Sequence, residues 1–411
     1  MPNPVTVDAG DMLGSSDLRR SNALVAQLEK KAEIMAEFMK LHPPTAAGLG
    51  DMDLLLRGGR AVTLLSERGI TPIVTNAAIP GTAPHAVFAA GGWTFLAVNV
   101  FSRKALAGVD GAAFRDPLEA IDAERAAAGP VDIVLISTHG LDEAALRRIA
   151  ERGDFLKILV DGDGTVNLRS AGLVTRTLIV TPPARGAELH VLELHLRRGA
   201  PTWYEAKRWK TAFDRNENVE EEALGARQSH IVRLRELRLD STYPNDPEAA
   251  QLQKAYKDWS RGNLTAAAPE VAGATPYLGA AACSACHAEQ HANWLTSFHA
   301  QAWTTLEKNE DGGTDDPECV SCHATGFLLP GGPRRIEDTV PFRGVQCESC
   351  HVPRGPHPGT RFGKVKEETC VTCHSETRDP EFDFKRYVPW STCRKAFEPG
   401  KNRIPRPDPP K

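Results

Sequence analysis

Cysteine is missing from the first 282 residues of this 411-residue chain; all nine lie between Cys283 and Cys393. That absence excludes disulfide stapling and thiolate metal sites from the larger, N-terminal part and assigns the sulfur chemistry to one region. Methionine is scarce too. All five occur at or before Met52, so the cysteine-bearing region cannot supply its own thioether ligand. No run approaches the about 18 apolar residues that a membrane helix needs. With a net charge of -4 and 25% charged residues, there is no excess of one sign to suit a polyanion, and nucleic acid is not suggested. The opening Met1-Pro-Asn-Pro-Val-Thr-Val lacks the basic-then-apolar order of a secretory signal.

What is present divides the chain. Hydrophobic periodicity predicts strands near 4–8, 71–75, 85–89, 94–100, 131–137, 157–160, 173–180 and 187–196, interleaved with helices near 17–40, 52–67 and 141–151. That alternation predicts an α/β domain over 1–205. Residues 206–276 read as a connector: 216–260 is charged and helix-prone, broken at Tyr243-Pro-Asn-Asp-Pro247, and 261–276 is an Ala/Gly/Pro/Thr-rich linker. Residues 277–397 hold the cysteines. The tail, 398–411, has five prolines and is predicted to be disordered.

Four pentapeptides share one pattern: Cys283-Ser-Ala-Cys286-His287, Cys319-Val-Ser-Cys322-His323, Cys347-Glu-Ser-Cys350-His351 and Cys370-Val-Thr-Cys373-His374. C-x-x-C-H is the attachment signature of c-type heme. Two thiols add across the porphyrin vinyl groups, and the adjacent His lies under the iron as the proximal ligand. A redox dithiol or half a zinc site explains one C-x-x-C, but neither requires His after the second Cys four times. The sequence therefore predicts four covalent hemes c in about 120 residues. So short a segment lacks the side chains for an ordinary core, and the porphyrins themselves are expected to form it.

Seven histidines occur in this region, and His291, His299 and His357 remain after the four proximal ones. These three are the candidate distal ligands. Three for four irons predicts three bis-His hemes and one with an open or weakly filled position. His299, twelve residues after His287, is the leading candidate; His357 lies on a Gly-Pro-His-Pro turn; His291 either serves a neighbouring heme or is solvated. His230 is an outside donor only if it is not an exposed histidine on the charged helix. Cys393 has no C-x-x-C partner and reads as a free thiol or an intermolecular one.

Tyr277-Leu-Gly-Ala-Ala-Ala-Cys-Ser-Ala-Cys-His, Trp294, His299-Ala-Gln-Ala, Glu318-Cys-Val-Ser-Cys-His-Ala-Thr-Gly-Phe327 and Gly344-Val-Gln-Cys-Glu-Ser-Cys-His351 closely resemble the tetraheme cytochrome c family that accepts electrons from hydroxylamine oxidoreductase. The resemblance covers about 277–385. It implies stacked heme pairs, mostly bis-His iron and one five-coordinate heme. C-type heme is attached after export, so the resemblance places the protein in the periplasm or outside the cell. A start upstream of Met1, carrying a signal or lipid anchor, is then expected.

The N-terminal region resembles the calcineurin-like metallophosphoesterases, the class containing 5'-nucleotidases. Val5-Thr-Val-Asp8-Ala-Gly-Asp11-Met-Leu-Gly14 resembles their second metal motif, and Val131–Gly140 resembles the later strand ending in a metal-binding His139. Ala47–Asp53 falls where Gly-Asn-His-Glu is expected, but Leu49 and Gly50 replace the Asn and the catalytic His. Asp163 and Thr165 replace the two histidines of the last motif. The first motif and its strand are missing. Only Asp11 and His139 match ligands, so the resemblance implies a vestigial site without a divalent metal. The sequence thus predicts an electron carrier, more an electron-transfer protein than an enzyme, serving redox partner proteins: other cytochromes or a quinol-linked or heme oxidoreductase. The rivals are a heme enzyme acting on a small nitrogen or oxygen species at an open iron, and a nucleotidase.

Overall fold

The computed structural model describes residues 4–15, 25–107, 109, 113–162, 176–182, 188–205, 229–239, 242–263, 272–308, 313–351, 365–375, 379, 382–391 and 393. His357, Asp163, Thr165, the acidic run 216–228 and the Pro-rich tail lie outside these residues. The chain divides into two compact units, one over Met1–Arg20 and Leu28–Leu252, the other over Ser21–Gln27 and Gln253–Lys411.

The first unit is built on a five-stranded sheet of order β3-β4-β5-β6-β7: β3 Ala86–Ala90, β4 Trp93–Phe101, β5 Ile133–His139, β6 Lys157–Asp161 and β7 Thr177–Val180. β3 and β4 pair antiparallel; the others pair in parallel. Strict alternation explains the layers. Leu96, Val98, Val100, Val134 and Ile136 bury one face against Ile121 of α3 (Pro117–Ala128) and Leu146 and Ile149 of α4 (Glu143–Ala150). Phe95, Ile133, Ile158 and Leu178 point the other way, onto Trp203 and Val232. Those two residues belong to a second sheet of order β8-β10-β9, made by β8 Glu188–His195, β9 Trp203–Glu205 and β10 His230–Arg238. A third cluster packs α1 (Val25–Leu41) and α2 (Arg60–Ser66) through Ala32, Ala36, Met39, Leu64 and Leu65. Short β1 (Val7–Asp8) pairs in parallel with β2 (Ala46–Ala47) and brings residues 9–14 beside 48–53.

Two expectations differ. Residues 71–75 make isolated bridges at Ile73 and no strand. Residues 230–238, placed by composition in a charged helix, form β10. Val232 and Leu234 alternate with Arg233 and Arg235, so a period-two signal was hidden inside a charged run. The expected helix survives as α5, Pro247–Asn263.

The second unit has short helices joined by turns: α6 Ala280–Cys283, α7 Ala288–Leu295, α8 Ala302–Glu307, α9 Pro317–His323, α10 Cys347–Cys350, α11 Glu367–Cys370 and α12 Phe384–Tyr387. Its buried apolar cluster comprises Trp303, Leu306, Val320, Ala324 and Phe327. Hydrogen bonds do much of the holding. The Gln346 side chain accepts from Ala280 N (2.6 Å) and donates to the carbonyls of Pro341 and Arg343. The Glu348 carboxylate accepts from the backbone of Leu278 and Gly279. Gly344 (φ +89°) lies against Ala300 O, where an added Cβ would sit 2.9 Å away. The close approach lets Gly344 N bond His323 O (2.9 Å) and Val345 N bond His299 O (2.8 Å), tying three histidine-bearing segments together.

Candidate functional site

Every C-x-x-C-H motif folds as a helical turn. His287 N donates to Cys283 O (3.0 Å), His351 N to Cys347 O (2.9 Å) and His374 N to Cys370 O (2.9 Å), while Cys319 to His323 lie inside α9. Residues three apart on a helix share a face, so each turn presents its two thiols together with the imidazole beside them. Asp316 caps α9 by accepting from Glu318 N (2.9 Å), which fixes where that turn begins.

None of the nine cysteines is in a disulfide. Burial, reinforced by the neighbouring Cys283 and Cys393, pushes the Cys347 thiol up to about 12. Burial with Cys370 and Cys393 nearby raises Cys350 to about 11. Cys283 and Cys370 are raised for the same first cause. Burial thus favours the neutral form of these four thiols.

The imidazoles are fixed by their second nitrogens. His374 Nδ1 bonds Asp379 Oδ2 (2.8 Å), and His323 Nδ1 bonds Ala302 O (2.6 Å). In both rings Nδ1 carries the proton and Nε2 keeps its lone pair for a metal, the usual arrangement of ligating histidine. The His374 ring also stacks on Phe382, with centroids 4.8 Å apart and planes at 16°. His299 and His374 have ring centroids 6.2 Å apart. Burial, then the neighbouring His374, lowers the affinity of His299 for a proton and keeps it in the neutral, ligating form. The residues therefore fit heme c: two thiols and an imidazole in each helical turn, hydrogen-bonded Nδ1 atoms on His323 and His374 and, near His374, a second imidazole.

The remaining candidates fare differently. His351 has its pKa lowered by burial and then by His287. His291 lies on α7 with its ring 5.6 Å from that of Trp294. His230 is buried in β10, not exposed on a helix: its Nδ1 accepts from Arg197 N (3.2 Å) and its Nε2 donates to Ala200 O (3.0 Å). Both nitrogens are committed, which removes it as a ligand. Asp379 was missed by sequence reasoning, although an acid five residues beyond a C-x-x-C-H is a usable signal.

In the first unit, Asp11 and His139 come together with Asp51, their ligand atoms all within 4.8 Å of one another. Asp11 Oδ2 is 3.6 Å from His139 Nδ1, and His139 Nε2 bonds Ala9 O (2.6 Å). Asp53 organises the loops by accepting from the backbone N–H of Asp11, Leu13, Gly14 and Gly50. Burial raises Asp11 to about 6 and Asp8 to about 7. A Cβ at Gly50 would sit 1.9 Å from Asp11 Oδ1, so this loop conformation excludes any side chain where the resemblance expects a catalytic His. These donors do not fit a pair of ions.

Residues 282–352 match the family model described as cytochrome c554 and c-prime, and residues 340–379 match that of the doubled CXXCH motif. Cytochrome c-554 of Nitrosomonas europaea is 36% identical over 114 residues, 23% of this chain and 48% of the relative, so the chain spans about half the length of the curated relative it matches. Among solved structures, a 5'-nucleotidase precursor from Thermus thermophilus is similar, with TM-score 0.43, 18% identity, and 62% of this chain and 49% of that one covered. A calcineurin-like phosphoesterase from Bacillus subtilis is similar with TM-score 0.41, 11% identity, and 62% and 85% covered. The C-terminal region thus matches, over residues 282–379, the cytochrome c554 and c-prime and the doubled CXXCH family models.

Proposed function

We propose that the protein is an exported electron carrier holding four hemes c and passing electrons between redox partner proteins in the periplasm or outside the cell. The observation that carries this reading is the set of four C-x-x-C-H motifs, each folded as a helical turn. Heme c, when attached, supplies a one-electron Fe(III)/Fe(II) couple. The chain's own residues do the rest. Eight thiols anchor, His287, His323, His351 and His374 ligate, and Asp379 and Ala302 O hold two of those rings in the ligating tautomer. His299, whose ring lies near that of His374, would supply a second ligand to that iron. His291 and His357 remain for two others. The first unit serves as a scaffold without phosphoesterase activity, its two-ion donor set being incomplete.

Intact mass and a pyridine hemochrome assay test the heme count: four per chain are expected, and fewer in the fully matured protein would overturn it. Heme staining of cell fractions tests export; holoprotein confined to the cytoplasm would refute it. A second reading, small-molecule chemistry at one iron, is favoured by the commitment of both His230 nitrogens, which leaves three spare histidines for four irons. Carbon monoxide binding to about one heme in four after reduction would support it. Four low-spin hemes without CO binding would leave electron transfer alone.

A further inference from the structure

Two of the proximal histidines differ in what accepts their second proton. His323 Nδ1 faces a neutral carbonyl, Ala302 O (2.6 Å), with Thr305 Oγ1 at 3.2 Å. His374 Nδ1 faces a carboxylate, Asp379 Oδ2 (2.8 Å). Asp379 is itself anchored: its N donates to the carbonyl of buried Ser375 (2.7 Å), and its O accepts from Phe382 N (3.0 Å), which places the Phe382 ring on the imidazole. Asp383, four residues on, caps α12 through Arg386 N (2.8 Å) and holds the far end of the same loop. The carboxylate is thus built into position.

We propose that Asp379 is a positioning residue that makes the His374 heme the low-potential centre relative to the His323 heme, giving the chain of hemes a direction. A carboxylate accepting Nδ1–H leaves more negative charge on the imidazole and makes Nε2 a better donor to iron. The ferric state carries one more positive charge than the ferrous and gains more from that donation, so reduction becomes harder. A peptide carbonyl does less, because charge-assisted hydrogen bonds are the stronger ones. The step concerned is one electron onto iron from a one-electron donor; no bond forms or breaks, and the proton stays on Nδ1. Phe382 stacks on the ring, while the His374 and Asp379 side chains remain 33% and 26% exposed.

This inference rests on the heme reading, and one experiment separates the two. The full-length holoprotein and its Asp379→Asn and Asp379→Glu variants are weighed for heme content, then titrated with dithionite while each heme is followed by visible and EPR spectra. A wild-type mass below four hemes breaks the heme reading. With four attached, wild type should place the His374 heme below the His323 heme. Asp379→Asn should shift the His374 reduction equilibrium about tenfold toward ferrous, about 59 mV for a one-electron couple, with its low-spin EPR signal moved and the other hemes unchanged. Asp379→Glu should restore the wild-type value. An unchanged midpoint in Asp379→Asn, or an equal drift of all hemes, overturns the proposal. If that variant fails to load one heme, the wild-type ordering still decides: a His374 midpoint equal to or above that of His323 overturns it.

Discussion

The first unit buries Leu64, Leu65, Leu96, Ile121, Ile133, Ile136, Leu146, Ile149 and Leu159 almost completely, in clusters on both faces of its main sheet. The described residues of the second unit bury one cluster of five, while Phe298 remains 64% and Val340 60% exposed. The first unit is held by side chains that its own chain supplies. The second has turns and polar struts such as Gln346 and Glu348. A small domain with so thin a core needs covalent or metal support, which on the proposed reading heme c would supply.

The contrast can be broken most sharply by withholding heme. Full-length chain made without heme attachment should lose protease protection in the second unit on the order of a hundredfold or more, while the first unit stays resistant. Limited proteolysis with mass spectrometry reads both, and equal resistance of the two units would end the comparison. Next in size, His299→Ala should convert the His374 heme from low to high spin by EPR and open it to CO, without changing heme content. A fully low-spin variant would assign the distal role elsewhere.

Within the first unit, Ile136→Ala should cost about 2–5 kcal/mol in denaturant unfolding and leave the heme spectra untouched, because Ile136 is fully buried against α3 and α4. Lys157 offers a smaller, pH-dependent effect. Its ammonium is buried near Arg152 O and Thr177 Oγ1, and burial lowers it from 10.5 to about 8. Between those values the unfolded chain holds the proton and the native one has released it, so stability rises as pH climbs from about 8 to about 10.5. The gain is on the order of 1–3 kcal/mol, and Lys157→Met should flatten it; an unchanged slope would mean that the lysine stays charged. Smallest, Asp116→Ala should lose about 1 kcal/mol, since its carboxylate caps α3 through Leu118 N (2.9 Å) and Glu119 N (3.3 Å).

Near-continuous apolar runs made β4, β5 and β6 legible within one or two residues of their observed bounds, as strands buried on both faces require. A period-two signal went unread in β10, where arginines occupy the second face and composition suggested a helix. At the first unit's loop site the sequence pointed to Asp11 and His139 through a resemblance, and Asp51 joined them only through the pairing of β1 with β2, which brings residues 41 apart into contact.

The proposed heme attachment points are legible in the sequence itself, because a thioether pair and its proximal imidazole would all come from five consecutive residues within one helical turn. Which histidine faces which, and what each Nδ1 bonds, was decided only by tertiary structure. The 75 positions between His299 and His374 close to 6.2 Å through turns and polar struts that no local pattern announces, and a backbone acceptor such as Ala302 O has no residue type by which to be recognised.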